Sequence, residues 1–239
     1  MNNFKLVIKN FVISVKNFII FRRIEKREFI ILCDKKLIYL VNSKVACSSI
    51  KKTFLKMEVE DNYNIHDFNW CKKNKLNEED KSYYKFTFVR NPFDRLASCY
   101  ESKYHKDKDI FDILHFDTYL MGILKNVKSF DEFVRKVIKI PDAFADRHFQ
   151  SQYNLIFDRK GNCLVDYIGK YESISEEYKK IQQKYELEEL PYFNKSNKKD
   201  WINYYTIETA NLVYNRYKKD IEEFGYASDY NRLLEQLTN

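Results

Sequence analysis

Glycine and proline are scarce, at 4 and 3 of 239 residues. That excludes collagen-like, glycine-rich repeat and low-complexity classes. No uninterrupted apolar run approaches the roughly 18 residues of a membrane-spanning helix, and mean hydropathy is −0.60. The five cysteines, Cys33, Cys47, Cys71, Cys99 and Cys163, are odd in number, widely spaced and free of any C-x-x-C pair. This pattern fits neither a disulfide framework nor a zinc knuckle, and it predicts a reducing compartment. Near the start, Lys9, Asn10, Lys16 and Asn17 interrupt the apolar residues and no small-x-small site follows, so no secretory leader is expected. The phosphate-loop pattern G-x-x-x-x-G-K-[ST] is absent, which disfavours an ordinary ATPase, GTPase or kinase. The four histidines are scattered, and no metal-ligand cluster is read.

What is present describes a folded, basic chain. Hydrophobic residues make up 44% and charged residues 32%, which excludes a disordered chain. Lys and Arg number 42 against 35 Asp and Glu, a net charge of +7. Such a balance suits an anionic partner: nucleic acid, phosphate, sulfate, an acidic glycan or an anionic membrane face. No nucleic-acid-binding motif is recognised. Without repeats or a composition break, the chain reads as an N-terminal helix over 1–24 and a single domain over 25–239.

Residues 3–21 read as a helix with Phe4, Ile8, Phe11, Val15 and Phe18 on one face and Leu6, Ile13 and Ile20 on the other. Lys5, Lys9 and Lys16 share a flank. Two readings stand for this helix: packing against a partner subunit, or lying on an anionic membrane surface. Two strand-like runs, 27–33 and 36–41, then flank a tight turn at Asp34-Lys35. The second run enters the small, polar stretch Asn42-Ser-Lys-Val-Ala-Cys-Ser-Ser49, and a helical segment follows over 50–57. Strand, small polar loop and helix is the arrangement that offers backbone N–H groups to an anion.

A second unit of this kind follows. Lys85–Val89 is a strand, Arg90-Asn-Pro-Phe-Asp-Arg95 a turn, and 96–104 a helix, with Pro92 suited to the first helical turn. A further strand is expected at 163–168 and helices at 128–140, 173–186 and 200–224. The irregular stretch 105–126 reads as a substrate-facing loop or lid. Alternating helices and strands predict an α/β fold: a three-layer α/β/α domain with a mostly parallel central sheet.

Lys44-Val-Ala-Cys-Ser-Ser49, followed in order by Phe88-Val-Arg-Asn-Pro-Phe-Asp-Arg-Leu-Ala-Ser98, resembles the carbohydrate sulfotransferases. The likeness is to the chondroitin- and dermatan-type enzymes and their bacterial relatives, and it implies a P-loop-like version of the α/β fold. It extends through Asp166-Tyr-Ile-Gly-Lys-Tyr-Glu172, Leu190-Pro-Tyr-Phe-Asn-Lys-Ser196 and Phe224-Gly-Tyr226, covering about residues 36–226. One departure is Ser43, where the family usually has proline before the lysine.

The resemblance implies that the first motif binds the 5′-phosphosulfate of 3′-phosphoadenosine 5′-phosphosulfate (PAPS) and the second its 3′-phosphate. Lys44 would contact the 5′-phosphate and the bridging oxygen. Val45, Ala46 and Cys47 would line the loop with their backbone, and Ser48 and Ser49 would add hydroxyls and amides. Arg90 and Ser98 would hold the 3′-phosphate, and Asn194, Lys195 and Ser196 would close over the nucleotide. For the base, His66 resembles the catalytic histidine of uronyl 2-O-sulfotransferases, lying 24 residues before Arg90. His148, in Arg147-His-Phe-Gln-Ser-Gln152, is the alternative, and Glu101 and Asp67 are carboxylate alternatives. Cys47 reads as a small loop residue rather than a nucleophile.

The implied activity is transfer of a sulfuryl group to a carbohydrate hydroxyl, with 3′-phosphoadenosine 5′-phosphate (PAP) as product and no metal. The acceptor would belong to a polysaccharide or a lipid-linked glycan. Competing readings are a nucleotide or sugar kinase of related fold and an inactive sulfotransferase-like scaffold. Unpaired cysteines and the missing leader predict a cytoplasmic protein, peripheral on the inner membrane face, unlike the anchored, disulfide-bonded Golgi members. The Lys-, Asn- and Ile-rich composition suggests a bacterial source.

Overall fold

The computed structural model describes residues 3–55, 71–104, 116–190 and 200–238. In chain order the elements are α1 (Asn3–Phe21), β1 (Phe29–Leu32), β2 (Leu37–Leu40), α2 (Cys47–Leu55), β3 (Lys72–Lys73), β4 (Tyr84–Val89), α3 (Pro92–Tyr104), α4 (Phe130–Val137), α5 (Gln152–Ile156), β5 (Tyr167–Lys170), α6 (Ile174–Tyr185), α7 (Ile207–Arg216), α8 (Lys218–Glu223) and α9 (Ala227–Thr238). They divide into two units, each discontinuous in sequence.

One unit, residues 27–90 and 152–198, carries the sheet. Its strand order is β3-β1-β2-β4-β5. β1 pairs antiparallel with β2 and β3, while β2–β4 and β4–β5 are parallel. The sheet is therefore mixed and flanked by helices, the α/β class read from the sequence. The hairpin forms where expected: Leu32 pairs with Leu37, and Lys36 closes the turn at φ 46°. Leu37, Tyr39, Val41, Phe86 and Phe88 alternate along their strands and so share one face. Ile50 and Phe54 of α2 and Tyr178 and Ile181 of α6 pack on that face. Each large side chain buried there contributes on the order of 1.5–3 kcal/mol.

The expected strand at 163–168 begins later. Cys163 instead bridges Phe157 across a turn, and the Leu164 amide donates to the Ile156 carbonyl. Those bonds use up the backbone groups that a sheet ladder would need, so β5 starts at Tyr167. Within β5, Gly169 lies against the ring of buried Phe88, where an added Cβ would sit 2.5 Å from Cε1. Gly169→Ala is expected to lower stability by about 1–3 kcal/mol, since overpacking forces the ring or the strand to move. Urea unfolding of the two proteins checks this.

The other unit, residues 1–26, 91–151 and 199–239, is helical. Its core is aromatic, with Tyr100, Tyr104, Phe116, Phe130, Phe133 and Phe149 in mutual ring contact. α4 shows why its sequence is helical. Phe130, Phe133, Val134 and Val137 make one buried stripe, and Ser129 caps the start by accepting from the Glu132 amide.

The helix expected over 200–224 is broken into a 3₁₀ turn at Trp201–Tyr204, then α7 and α8. The break falls at Tyr217, with φ −113° and ψ 24°. Its buried hydroxyl donates to the Phe149 carbonyl at 2.6 Å, so a tertiary contact overrides the helical pattern. Of the expected lid, 105–115 lies outside the described residues. The rest forms a short turn at Tyr119–Gly122, with Leu120 and Met121 at positive φ.

Candidate active site

The loop between β2 and α2 has the wrong residues for its shape. Lys44 and Ala46 take φ of 71° and 58°, a region that favours glycine and costs other residues about 1–3 kcal/mol each. None of the chain's four glycines stands here. Backbone of this shape turns successive N–H groups to one side, making an anion-holding concavity. α2 follows immediately. Its first helical bond runs from the Ile50 amide to the Ala46 carbonyl at 3.1 Å, and the preceding amides of residues 47–49 have no intrahelical acceptor. Polar amide ends and the helix dipole thus converge where the loop meets the helix.

The side chains divide by role. Val45 is fully buried and belongs to the core under the sheet, so only its backbone is available to a ligand. Cys47 packs at the edge of the same core. Ser49 is buried and Ser48 half-buried, as is Lys44.

Arg90 follows β4, the parallel neighbour of β2, so both loops leave the same end of the sheet. In open α/β sheets, ligands bind beyond the carboxyl ends of the strands. Arg90 is buried. Its Nη1 donates to the Lys44 carbonyl at 2.9 Å, and its guanidinium stacks 4.4 Å from the centre of the Tyr171 ring. The two motifs that the sequence presents 46 residues apart are therefore joined by a hydrogen bond.

Residues that the sequence reading did not single out hold this end of the sheet together. Gln152 is fully buried at the start of α5. Its Oε1 accepts from the Arg90 amide and from Asn42 Nδ2, both at 3.0 Å, and its Nε2 donates to the Arg90 carbonyl at 2.8 Å. Asn42 Nδ2 also donates to the Phe88 carbonyl at 2.9 Å. These bonds fix the ends of β2 and β4 relative to each other. A glutamine inside a motif-like segment carries no sign of such a task. Only its burial reveals it.

In the helical unit, Ser98 sits half-buried on α3. His148 Nδ1 lies 2.6 Å from Oδ1 of fully buried Asp146. A carboxylate can only accept, so the ring proton resides on Nδ1, and Nε2 is the nitrogen that takes up a proton. Arg95 braces this segment from α3, donating to the Gln150 and Arg147 carbonyls at 2.7 and 3.0 Å. Burial pulls the proton affinity of Arg95 down, and Tyr217 and Asp220 push it back up.

His66, Asp67, Asn194, Lys195 and Ser196 lie outside the described residues. Glu101 sits on α3, where the Tyr204 hydroxyl donates to it. Among the described residues, no three His, Cys, Asp or Glu side chains cluster as a metal site would require. No disulfide joins any two of the five cysteines.

Comparison with known proteins bears on all of this. The model of the sulfotransferase family matches residues 27–227. Carbohydrate sulfotransferase 11 of Mus musculus is 25% identical over 231 residues, covering 81% of this chain and 65% of the relative. Carbohydrate sulfotransferase 11 of Rattus norvegicus is 27% identical over 172 residues, covering 60% and 49%. Carbohydrate sulfotransferase 12 of Xenopus laevis is 23% identical over 175 residues, covering 61% and 40%. The chain thus spans between two fifths and two thirds of the length of these relatives. No solved structure matches it significantly.

These relatives overturn the expected cytoplasmic location, because they are Golgi enzymes acting in the lumen. Unpaired cysteines report only that these five thiols are not bonded to one another, which does not fix a compartment. The relatives are also vertebrate, so the bacterial source suggested by composition gains no support from them. With a family model covering both motifs and the strands and helices that carry them, the chain belongs to the sulfotransferase family.

Proposed function

We propose that the chain transfers a sulfuryl group from PAPS to a hydroxyl of a carbohydrate. The observation that carries this reading is the bond between Arg90 and the Lys44 carbonyl, which couples a strained anion-binding loop to the second motif at one end of the sheet. The residues fit the donor's chemistry. Amides of residues 46–49 and the Ser48 and Ser49 hydroxyls suit the 5′-phosphosulfate oxygens, and Lys44 supplies the charge. Arg90, with Ser98, is assigned to the 3′-phosphate. Asn194, Lys195 and Ser196 are assigned to closure over the nucleotide.

In the transfer, the acceptor oxygen bonds to sulfur as the bond from sulfur to the 5′-phosphate oxygen breaks in line. The acceptor proton passes to a base, and PAP leaves with the electron pair of the broken bond. Negative charge grows on the departing oxygen, so Lys44 acts most strongly in the transition state. Positioning supplies most of the remaining rate, as in phosphoryl transfer. His66 and His148 are both assigned as candidate bases. His148 has the support of buried Asp146, which sets its tautomer and stabilises the imidazolium.

Calorimetric titration with PAP, with ATP as control, tests the reading. Saturable PAP binding with at least about ten-fold weaker ATP binding is expected, a difference of about 1.4 kcal/mol. Preference for ATP would favour a kinase, and binding of neither would favour a scaffold.

A further inference from the structure

The N-terminal helix α1 is built the wrong way round for a surface helix. Two of its uncharged polar side chains, Asn10 and Asn17, face its own unit. Asn17 is buried and donates from Nδ2 to the Ile24 carbonyl at 2.8 Å, and Asn10 Nδ2 donates to Thr118 Oγ1 at 3.1 Å. Beside them Phe18 stacks its ring on Phe144, with centroids 4.8 Å apart. Ile8, Phe11, Val12, Val15 and Ile19 recur at helical spacing as one stripe pointing outward. Val12 is 58% exposed and Ile19 65%. Ile13 and Ile20 are exposed as well, on the far side of a line formed by exposed Lys5, Lys9 and Lys16.

The turn packed against α1 adds to the apolar surface. There Met121, held at φ 63°, is 66% exposed, and Ile123 is exposed beside it. An outward apolar stripe this continuous marks an interaction site.

Charge selects the occupant. Residues 1–24 contain Lys5, Lys9, Lys16, Arg22 and Arg23 and no acidic residue, so a tenth of the chain carries five of its net seven positive charges. A symmetric contact between two copies would bring this basic face against itself, and like charges would oppose it. No described helix is long and apolar enough to cross a membrane. A helix with an apolar stripe edged by lysines instead lies in the plane of an anionic bilayer, burying the stripe among acyl chains while the ammonium groups meet lipid phosphates.

We propose that α1 docks this protein on the surface of an anionic lipid bilayer. This inference does not rest on the nucleotide site. It is tested by floating the whole chain with vesicles of phosphatidylcholine alone, or with about one third phosphatidylserine.

Floating with the anionic vesicles only, and release by high salt, is the expected result. The pair Val12→Ser and Ile19→Ser should lower the bound fraction about ten-fold or more. Lys5→Glu, Lys9→Glu and Lys16→Glu together should abolish the preference for anionic lipid. These residues are exposed, and unchanged circular dichroism would confirm that the variants fold. Equal binding to both vesicles, binding to neither, or a wild-type dimer that Ile19→Ser dissociates would overturn the proposal.

Discussion

Lys44→Ala is expected to reduce sulfuryl transfer by about 10²–10³-fold, the cost of removing one group that stabilises transition-state charge. The loss should appear in kcat, with PAP affinity changed several-fold at most, because the charge that Lys44 meets on the leaving oxygen is largest in the transition state. Stability should hold. Alanine suffers the same positive φ as lysine at this position and leaves no cavity, since Lys44 is only half-buried. Lys44→Gly separates the two effects further. It relieves the left-handed strain, so it should unfold at equal or higher temperature while remaining as inactive as the alanine variant. Steady-state assays with a carbohydrate acceptor, run beside thermal melts, check both halves. Turnover within about two-fold of the original for Lys44→Ala would remove this loop from the reaction, since such a change is far below the effect of a lost transition-state contact.

Gln152→Ala carries the second large effect, and it acts through structure. The substitution removes both hydrogen bonds to the Arg90 backbone and one to Asn42 in a fully buried place. Buried polar groups that lose a partner cost about 1–3 kcal/mol each. A loss of about 2–4 kcal/mol is therefore expected, or a fall in Tm of about 5–10 °C for a chain of this size. PAP affinity should fall with it, because Arg90 and the Lys44 loop depend on the registry of β2 and β4 that Gln152 holds. Gln152→Met fills the same volume without the hydrogen bonds and should recover packing but not PAP affinity. Thermal melts and calorimetry on both variants distinguish these contributions. A Tm unchanged within about 1 °C for Gln152→Ala would show that these bonds contribute nothing net.

The two effects differ in kind. Lys44 is assigned to a reacting atom, while Gln152 positions the backbone that presents Arg90. Glycine normally provides the positive φ of a phosphate loop. Here the loop uses lysine and alanine, so its strain must be held by what surrounds it. The Arg90 bond to the Lys44 carbonyl, itself held by Gln152, is one such restraint.

The sequence by itself determined what depends on neighbours along the chain. Periodicity and turn residues marked the β1–β2 hairpin, β4, α4 and α6. The ordered pair of motifs, Lys44–Ser49 and Phe88–Ser98, pointed to the family because side-chain identity at fixed spacing is a linear signal. The tertiary structure decided what depends on distant partners. It ended the 200–224 helix at Tyr217, where a buried hydroxyl finds the Phe149 carbonyl, and it delayed β5 to Tyr167 because residues 163–164 bond to the preceding segment. It joined Arg90 to Lys44 and set Gln152 between them. It also turned the asparagines of α1 inward and its aliphatic side chains outward, although the linear pattern left two apolar stripes with no means of choosing between them. In each case the deciding energy lies in burial and in hydrogen bonds between residues far apart in the chain, which local periodicity does not encode.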